Sequence, residues 1–265
     1  MRHGLSLALA LALGSHVTAA HAQVEQQPRP IWSGNHARPV PEHRLELGLL
    51  QNGHYGLSKR LELALHPLWF FALPHVELKA LAAEQGPLAL AVRGRLAYPT
   101  IFLGLVSREG AGGLLPKSSS PPQALQIEGE LLGSYDLAPA QTLSAALGVA
   151  VAPHASFTSA EMPLLDFPFL YPRFAALYTV LVPRAALYLE GRLWRRLYYD
   201  ASALGFLMPK LPDVGTAWAL EQSLALEYRA GDRVALSLGT RLSEAKYAYA
   251  TRLHYLPYAD VRFGF

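Results

Sequence analysis

Apolar and polar residues alternate with a period of two along most of the chain from about residue 55 onward. In Leu88–Tyr98, for example, Leu90 and Val92 alternate with Arg93 and Arg95. This period is that of a β-strand with two different faces, and the helical period of 3.6 residues is absent. The pattern predicts ten strands, near residues 55–66, 75–82, 88–98, 125–137, 143–151, 173–182, 185–197, 218–228, 233–243 and 257–265.

The connections between these strands add an independent regularity. Short links are expected near residues 83–86, 138–141, 182–184 and 230–232, and longer ones over 67–74, 99–124, 153–171, 198–215 and 244–256. Alternation of tight turns with long loops is typical of transmembrane barrels, whose two rims face different compartments. A segment at residues 44–50 also alternates, so twelve strands remain an alternative to ten.

The first 42 residues carry export features rather than strands. Arg2 and His3 precede an apolar stretch from Gly4 to Leu13, and Ala20-His21-Ala22 gives a small-x-small cleavage pattern. We expect residues 1–22 to be a signal peptide, because the apolar stretch is too short to span a bilayer as a helix. Residues 23–42, rich in Pro and Gln, are predicted to be an irregular periplasmic segment, and residues 43–265 the barrel.

The final strand resembles a known targeting element. Ala259, Val261, Phe263 and Phe265 fall on one face of residues 255–265, and the chain ends on Phe. This pattern is similar to the C-terminal strand of Gram-negative outer-membrane β-barrel proteins. The resemblance implies a closed antiparallel barrel of the all-β class in the outer membrane, insertion by the barrel-assembly machinery, and contact with lipid and lipopolysaccharide. It implies that Val261, Phe263 and Phe265 form the targeting strand, and it identifies no subfamily.

Composition is consistent with that class. Only 16% of the residues are charged, against about 25% in soluble domains. The chain has no cysteine, which excludes disulfides and thiolate metal sites. A periplasmic β-sandwich or lipocalin-like barrel would also alternate, with its apolar side inward. Charges of both signs at mid-strand and aromatic residues at strand ends favour the membrane barrel.

The polar strand faces hold the candidate lumen chemistry. Charged side chains inside a narrow barrel must pair, because an isolated charge loses its hydration. Arg–Glu pairs are expected between the strand that carries Arg93 and Arg95 and the next, which carries Glu128 and Glu130. The predicted network comprises Arg93, Arg95, Glu128, Glu130, Glu190, Arg192 and Arg241. This network is consistent with two roles: a structural network of ion pairs, or the wall of a conduit for a solute.

No catalytic, cofactor or metal motif stands out. The long loops contain residues of the kind that membrane-embedded enzymes place at the outer rim, without diagnostic spacing: His154, Ser156, Glu161, Asp166, Asp213 and His254. The histidines lack the spacing of a metal site, and no basic cluster suggests nucleic acid. The sequence therefore predicts a structural barrel, or one that binds or conducts a small solute. An outer-membrane enzyme acting on lipid or peptide at the extracellular rim is the alternative, and the loop at 99–124 has no assigned role.

The signal-peptide assignment makes a direct prediction. The mature protein is expected to begin at Gln23, because Ala20 and Ala22 provide the small residues that signal peptidase requires. N-terminal sequencing of the membrane-extracted protein checks this, and a species that keeps residues 1–22 would contradict it.

Overall fold

Twelve antiparallel strands form a closed barrel in the computed structural model of the chain. The structure describes residues 32–119, 121, 123–153, 165, 167, 169–211, 214–247 and 250–265. The strands are β1 Leu45–Gly48, β2 Gly53–Ser58, β3 Leu61–Leu65, β4 His75–Gln85, β5 Leu88–Ala97, β6 Gln126–Ala138, β7 Gln141–Val151, β8 Leu181–Trp194, β9 Leu197–Leu211, β10 Gly215–Arg229, β11 Val234–Lys246 and β12 Thr251–Gly264. Each pairs with its neighbours in chain order, and β1 closes the barrel against β12.

Short helices lie in the three longest connections. A 3-10 helix, Trp69–Phe71, follows β3. Helix α1, Thr100–Val106, follows β5, and helices α2, Tyr171–Phe174, and α3, Ala176–Thr179, precede β8. In the described part of the chain, no helix has both the length and the apolarity to cross a membrane.

The expected strand count of ten is wrong, and the alternative of twelve is the one observed. Residues 45–48 form a strand, and the segment expected as one strand over 55–66 is a hairpin that turns at Lys59 and Arg60. Residues 198–215 lie mostly in β9 rather than in a loop. Residues 173–182 are mostly helical, because Pro172 fits the first turn of a helix and alanines follow.

The asymmetry of the two rims exists, although the strict alternation of short and long links does not. Links 59–60, 86–87, 139–140, 195–196 and 230–233 all lie at the rim where β12 ends, called here the turn rim. The long links 66–74, 98–125 and 152–180 lie at the opposite, or loop, rim. Links 212–214 and 247–250 at the loop rim are also short, so the long loops expected at 198–215 and 244–256 are wrong.

The outer surface of the barrel is apolar. Side chains that alternate with the lumen-facing ones are exposed on the outside, including Leu131 at 66%, Leu147 at 69% and Leu238 at 67%. The lumen-facing positions between them carry buried Glu, Ser, Ala and Arg. The polarity is thus reversed relative to a soluble barrel, and a belt of this kind is stable only in a nonaqueous environment.

A charge placed on this belt is expected to destabilise the barrel in a depth-dependent way. Leu131→Arg, near the middle of β6, should lower the free energy of unfolding in lipid vesicles by about 2–4 kcal/mol. The matched change Leu137→Arg, at the turn-rim end of the same strand, should cost about 0–1 kcal/mol. Urea titration followed by the heat-modifiable gel shift measures both, and equal losses would contradict the assignment of the outer face.

Candidate functional site: the barrel lumen

The N-terminal segment Trp32–Pro41, called here the plug, lies inside the turn-rim half of the barrel. Most of it is buried, with Ala37 at 0% and Val40 at 1% exposure. Trp32 sits at the rim, where its indole N–H donates to the Gly231 carbonyl oxygen at 3.3 Å. The Arg44 and Arg262 guanidinium groups lie over its ring at 4.7 and 5.2 Å. The sequence predicted that this segment is irregular and periplasmic, and nothing in the sequence indicated that it enters the lumen.

Carboxylate and hydroxyl groups of the wall hold the plug by its main chain. The Glu46 carboxylate accepts the Ser33 N–H at 3.0 Å, and the Glu62 carboxylate accepts the Val40 N–H at 2.8 Å. Three further contacts involve the plug main chain. Ala37 N–H donates to Ser134 Oγ at 2.7 Å, Lys79 Nζ donates to the His36 carbonyl oxygen at 3.3 Å, and Arg262 Nη1 donates to the Ser33 carbonyl oxygen at 3.0 Å. Buried main-chain groups need such partners, so the wall is shaped to receive this irregular segment.

Side chains of the plug also pair with the wall. Arg38 bridges Glu84 at 2.7 Å and Asp136 at 2.9 Å. Gly34 lies against Glu190, where a Cβ would come within 2.3 Å of a carboxylate oxygen, so no larger residue fits without displacement. Glu190 itself faces Asp200 across β8 and β9, and its Oε1 atom is buried without a partner.

His36 is the plug residue least compatible with a positive charge. Its ring is buried, and neither ring nitrogen has a hydrogen-bond partner. Burial, with the neighbouring Lys79 ammonium, lowers the pKa of His36 from its ordinary 6.5 to about 3. The imidazole is therefore neutral at pH 7 while the plug is seated.

A cluster of ion pairs, called here the charge belt, lies between β4, β5, β6 and β8. Arg93 contacts Glu130 at short range, and Arg95 lies 3.5 Å from Glu128. Arg184 on β8 joins them, at 2.6 Å from Glu128 and 3.3 Å from Glu130. The strand register places Arg93 opposite Glu130 and Arg95 opposite Glu128. Arg184 was missed by the sequence analysis because Pro183 was interpreted as part of a turn, whereas it lies inside β8.

The remaining predicted network residues lie elsewhere. Arg192 opposes Tyr198 next to the turn at 195–196 and is exposed. Arg241 opposes Ser223 on β10, and no ion pair joins it to a carboxylate of the described residues. Glu190 contacts the plug. The seven residues therefore form a central belt of four with three dispersed members. Their role in function stays a prediction.

A third layer, called here the cap, covers the loop-rim half of the lumen. Leu103 of α1 and Leu177 of α3 are fully buried in one apolar cluster with lumen-facing Val182, Phe206 and Met208 of the wall. Phe102 of α1 stacks on Phe174 of α2, with ring centroids 5.7 Å apart. The cluster explains why these loop segments fold into helices: each apolar side packs on the inner wall.

Polar contacts join the cap to the wall. Arg173 of α2 makes a bidentate ion pair with the Glu221 carboxylate on β10, and its carbonyl oxygen accepts from Gln126 Nε2 at 2.9 Å. Tyr171 stacks on Tyr247 at 4.6 Å and donates to the Lys246 carbonyl oxygen at 2.9 Å. The cap is thus an ordered part of the barrel interior.

The predicted enzyme residues lie mainly outside the described chain. His154, Ser156, Glu161, Asp166 and Asp213 all do, and so do residues 1–31 with the predicted signal peptide. His254 is described: it packs edge-on to Tyr247 at 6.0 Å, and its buried Nε2 atom has no hydrogen-bond partner. Within the described ranges, no cluster of three or more His, Asp or Glu residues has the arrangement of a metal site.

The C-terminal strand lies where a closing strand must lie. Residues 262–264 of β12 pair with β1, and the Phe265 N–H and C=O pair with Leu45. Phe263 and Phe265 point outward at the turn rim, at 46% and 70% exposure, and Val261 shares their face. The targeting role of this strand stays a prediction.

Comparisons with known proteins give similarity in architecture only. No protein-family model and no curated protein sequence matches the chain. Among solved structures, a NanC porin matches at a TM-score of 0.48 and 9% identity, over 83% of this chain and 96% of that one. OpdL of Pseudomonas aeruginosa matches at 0.43 and 12%, over 81% of this chain and 57% of that one.

A third structure is OmpT, an outer membrane protein of Vibrio cholerae, at a TM-score of 0.42 and 9% identity, over 81% of this chain and 63% of that one. The chain spans less than two thirds of the length of the Pseudomonas and Vibrio proteins. These similarities identify no subfamily. The barrel described above is defined by its own strand pairing, which is independent of these similarities.

The charge belt predicts a specific stability cost. Glu128→Leu leaves Arg95 without its partner and removes one of the two partners of Arg184, so it should lower the free energy of unfolding by about 3–5 kcal/mol. The matched control Glu109→Leu removes an exposed loop carboxylate and should change it by no more than about 0.5 kcal/mol. Urea unfolding in lipid vesicles compares the two, and an unaffected Glu128→Leu barrel would show that the belt does not contribute to stability.

Proposed function

We propose that this protein is an integral outer-membrane barrel that acts as a conduit for small solutes, and that the described conformation is its closed state. The carrying observation is the reversed polarity of the barrel, with an apolar exterior and a charged interior. An interior of that kind is suited to water and polar solutes once the lumen is open.

The way in which the plug is held supports a closed state that can open, rather than a barrel whose lumen is always filled. The plug is held through hydrogen bonds and ion pairs to the wall and through the packing of Ala37 in a small apolar cluster. It leads into β1 through the short link at residues 42–44. It can therefore leave the lumen without breaking a strand pair of the barrel. The cap is anchored by a larger apolar cluster and belongs to the loop rim.

Conductance in planar bilayers tests the proposal. The full chain is expected to stay mostly closed. Removal of both the plug, residues 32–41, and the cap helices α1, α2 and α3 should give persistent open channels, because both halves of the lumen are then emptied. A deletion variant that is folded by the heat-modifiable gel shift, yet carries no current, would contradict a conduit. Activity in hydrolase assays on lipid or peptide substrates would then favour the alternative, an outer-membrane enzyme.

A disulfide that fixes the plug to the wall provides the matched control, because the same protein can be compared in its oxidised and reduced forms. The chain has no cysteine, so Ala37→Cys with Ser134→Cys introduces one pair at a place where plug and wall are in contact. In a variant without the cap helices, oxidation should hold the channel closed and reduction should release it. The single change Ala37→Cys should not respond to either treatment.

A further inference from the structure

We infer that the plug is released by acid, with His36 as the group that senses the proton. The inference rests on the proposed function and concerns the regulation of the same lumen. It starts from geometry: a buried imidazole on a removable segment, with no ion-pair partner among the described residues and only the Trp32 main chain nearby as an acceptor.

The surroundings of His36 oppose a second positive charge. Lys79 of β4 lies beside it and donates to its carbonyl oxygen at 3.3 Å, and Arg38 follows two positions later in the plug. Two carboxylates lie near His36. Glu62 of β3 is already engaged by Lys79 at 3.1 Å, His54 at 2.9 Å and the Val40 N–H, and Glu190 of β8 lies against Gly34 of the plug. A proton on His36 would therefore be both buried and unpaired.

The direction of the pH effect follows from linkage. The seated imidazole has a pKa of about 3, whereas a released, hydrated one has its ordinary value of about 6.5. Below pH 6.5 the released form binds a proton that the seated form does not, so acid favours release. The contribution of His36 alone is a rise of about 25-fold in the ratio of released to seated plug between pH 7 and pH 5.

The experiment reads plug position and conductance separately. Val40→Cys, a nearly isosteric change at a residue with 1% exposure, reports release through labelling by a membrane-impermeant maleimide. The rate at each pH is divided by that of Lys59→Cys, an exposed turn residue, which corrects for thiol ionisation. The corrected rate is expected to rise as the pH falls from 7 to 5, in parallel with channel opening in the variant without the cap helices.

Three histidine variants, each built on the Val40→Cys background, identify the sensor. His36→Leu and His36→Gln should both abolish the pH dependence of labelling, with less release in the former, which buries no unpaired polar group, and more in the latter. His43→Gln, at a histidine whose side chain is 78% exposed, should leave the pH dependence unchanged. Two His36 variants guard against a single variant that fails to fold.

The outcomes separate the two proposals. Labelling that rises with acid and depends on His36 supports acid release, even if no current accompanies it, and in that case the conduit fails. Channels that open without His36-dependent labelling overturn acid release and leave the conduit standing. Unchanged labelling between pH 7 and pH 5 also overturns acid release.

Discussion

Closure of the sheet on itself is the constraint on which the rest of this structure depends. Backbone N–H and C=O groups in hydrocarbon have no water to pair with, and an unpaired edge leaves a whole row of them unsatisfied. Here β1 and β12 meet through Leu47 opposite Phe263 and through the pairing of Leu45 with Phe265. Once that seam is formed, every second side chain must point into an enclosed lumen. The chemistry of those inward positions then determines what the barrel can do.

The lumen satisfies its polar groups in two different ways. In the charge belt, cross-strand register alone brings Arg93 to Glu130 and Arg95 to Glu128. Nearer the turn rim, Glu46 and Glu62 instead accept main-chain N–H groups from the plug. The first arrangement is part of the wall, whereas the second depends on a segment that is not part of the sheet. This difference is why movement of the plug can open the turn-rim half of the lumen, whereas the cap closes the other half.

Local alternation predicted the barrel class, the belt and the outward face of the last strand, because each depends on the period of two and on pairing between successive strands. It failed where a side chain's environment comes from distant contacts. Residues 173–182 became helical because Leu177 and Phe174 pack on the inner wall. Residues 198–211 were interpreted as a loop because both faces of β9 mix polar, small and aromatic residues such as Asp200, Ala201 and Tyr199. The plug has no period at all, and its position follows only from partners such as Ser134, far along the chain.

Hydrogen exchange at neutral pH tests most directly whether the N-terminal segment occupies the lumen. The protein would be studied in lipid nanodiscs by mass spectrometry, comparing peptides that cover residues 32–41 with peptides from β6 and from the exposed loop around Gly110–Gly113. The N–H groups of Ser33, Ala37 and Val40 are buried and bonded to the wall, so the segment should exchange on the timescale of the strand. Exchange as fast as that of the loop would contradict a seated plug and, with it, the closed state described here.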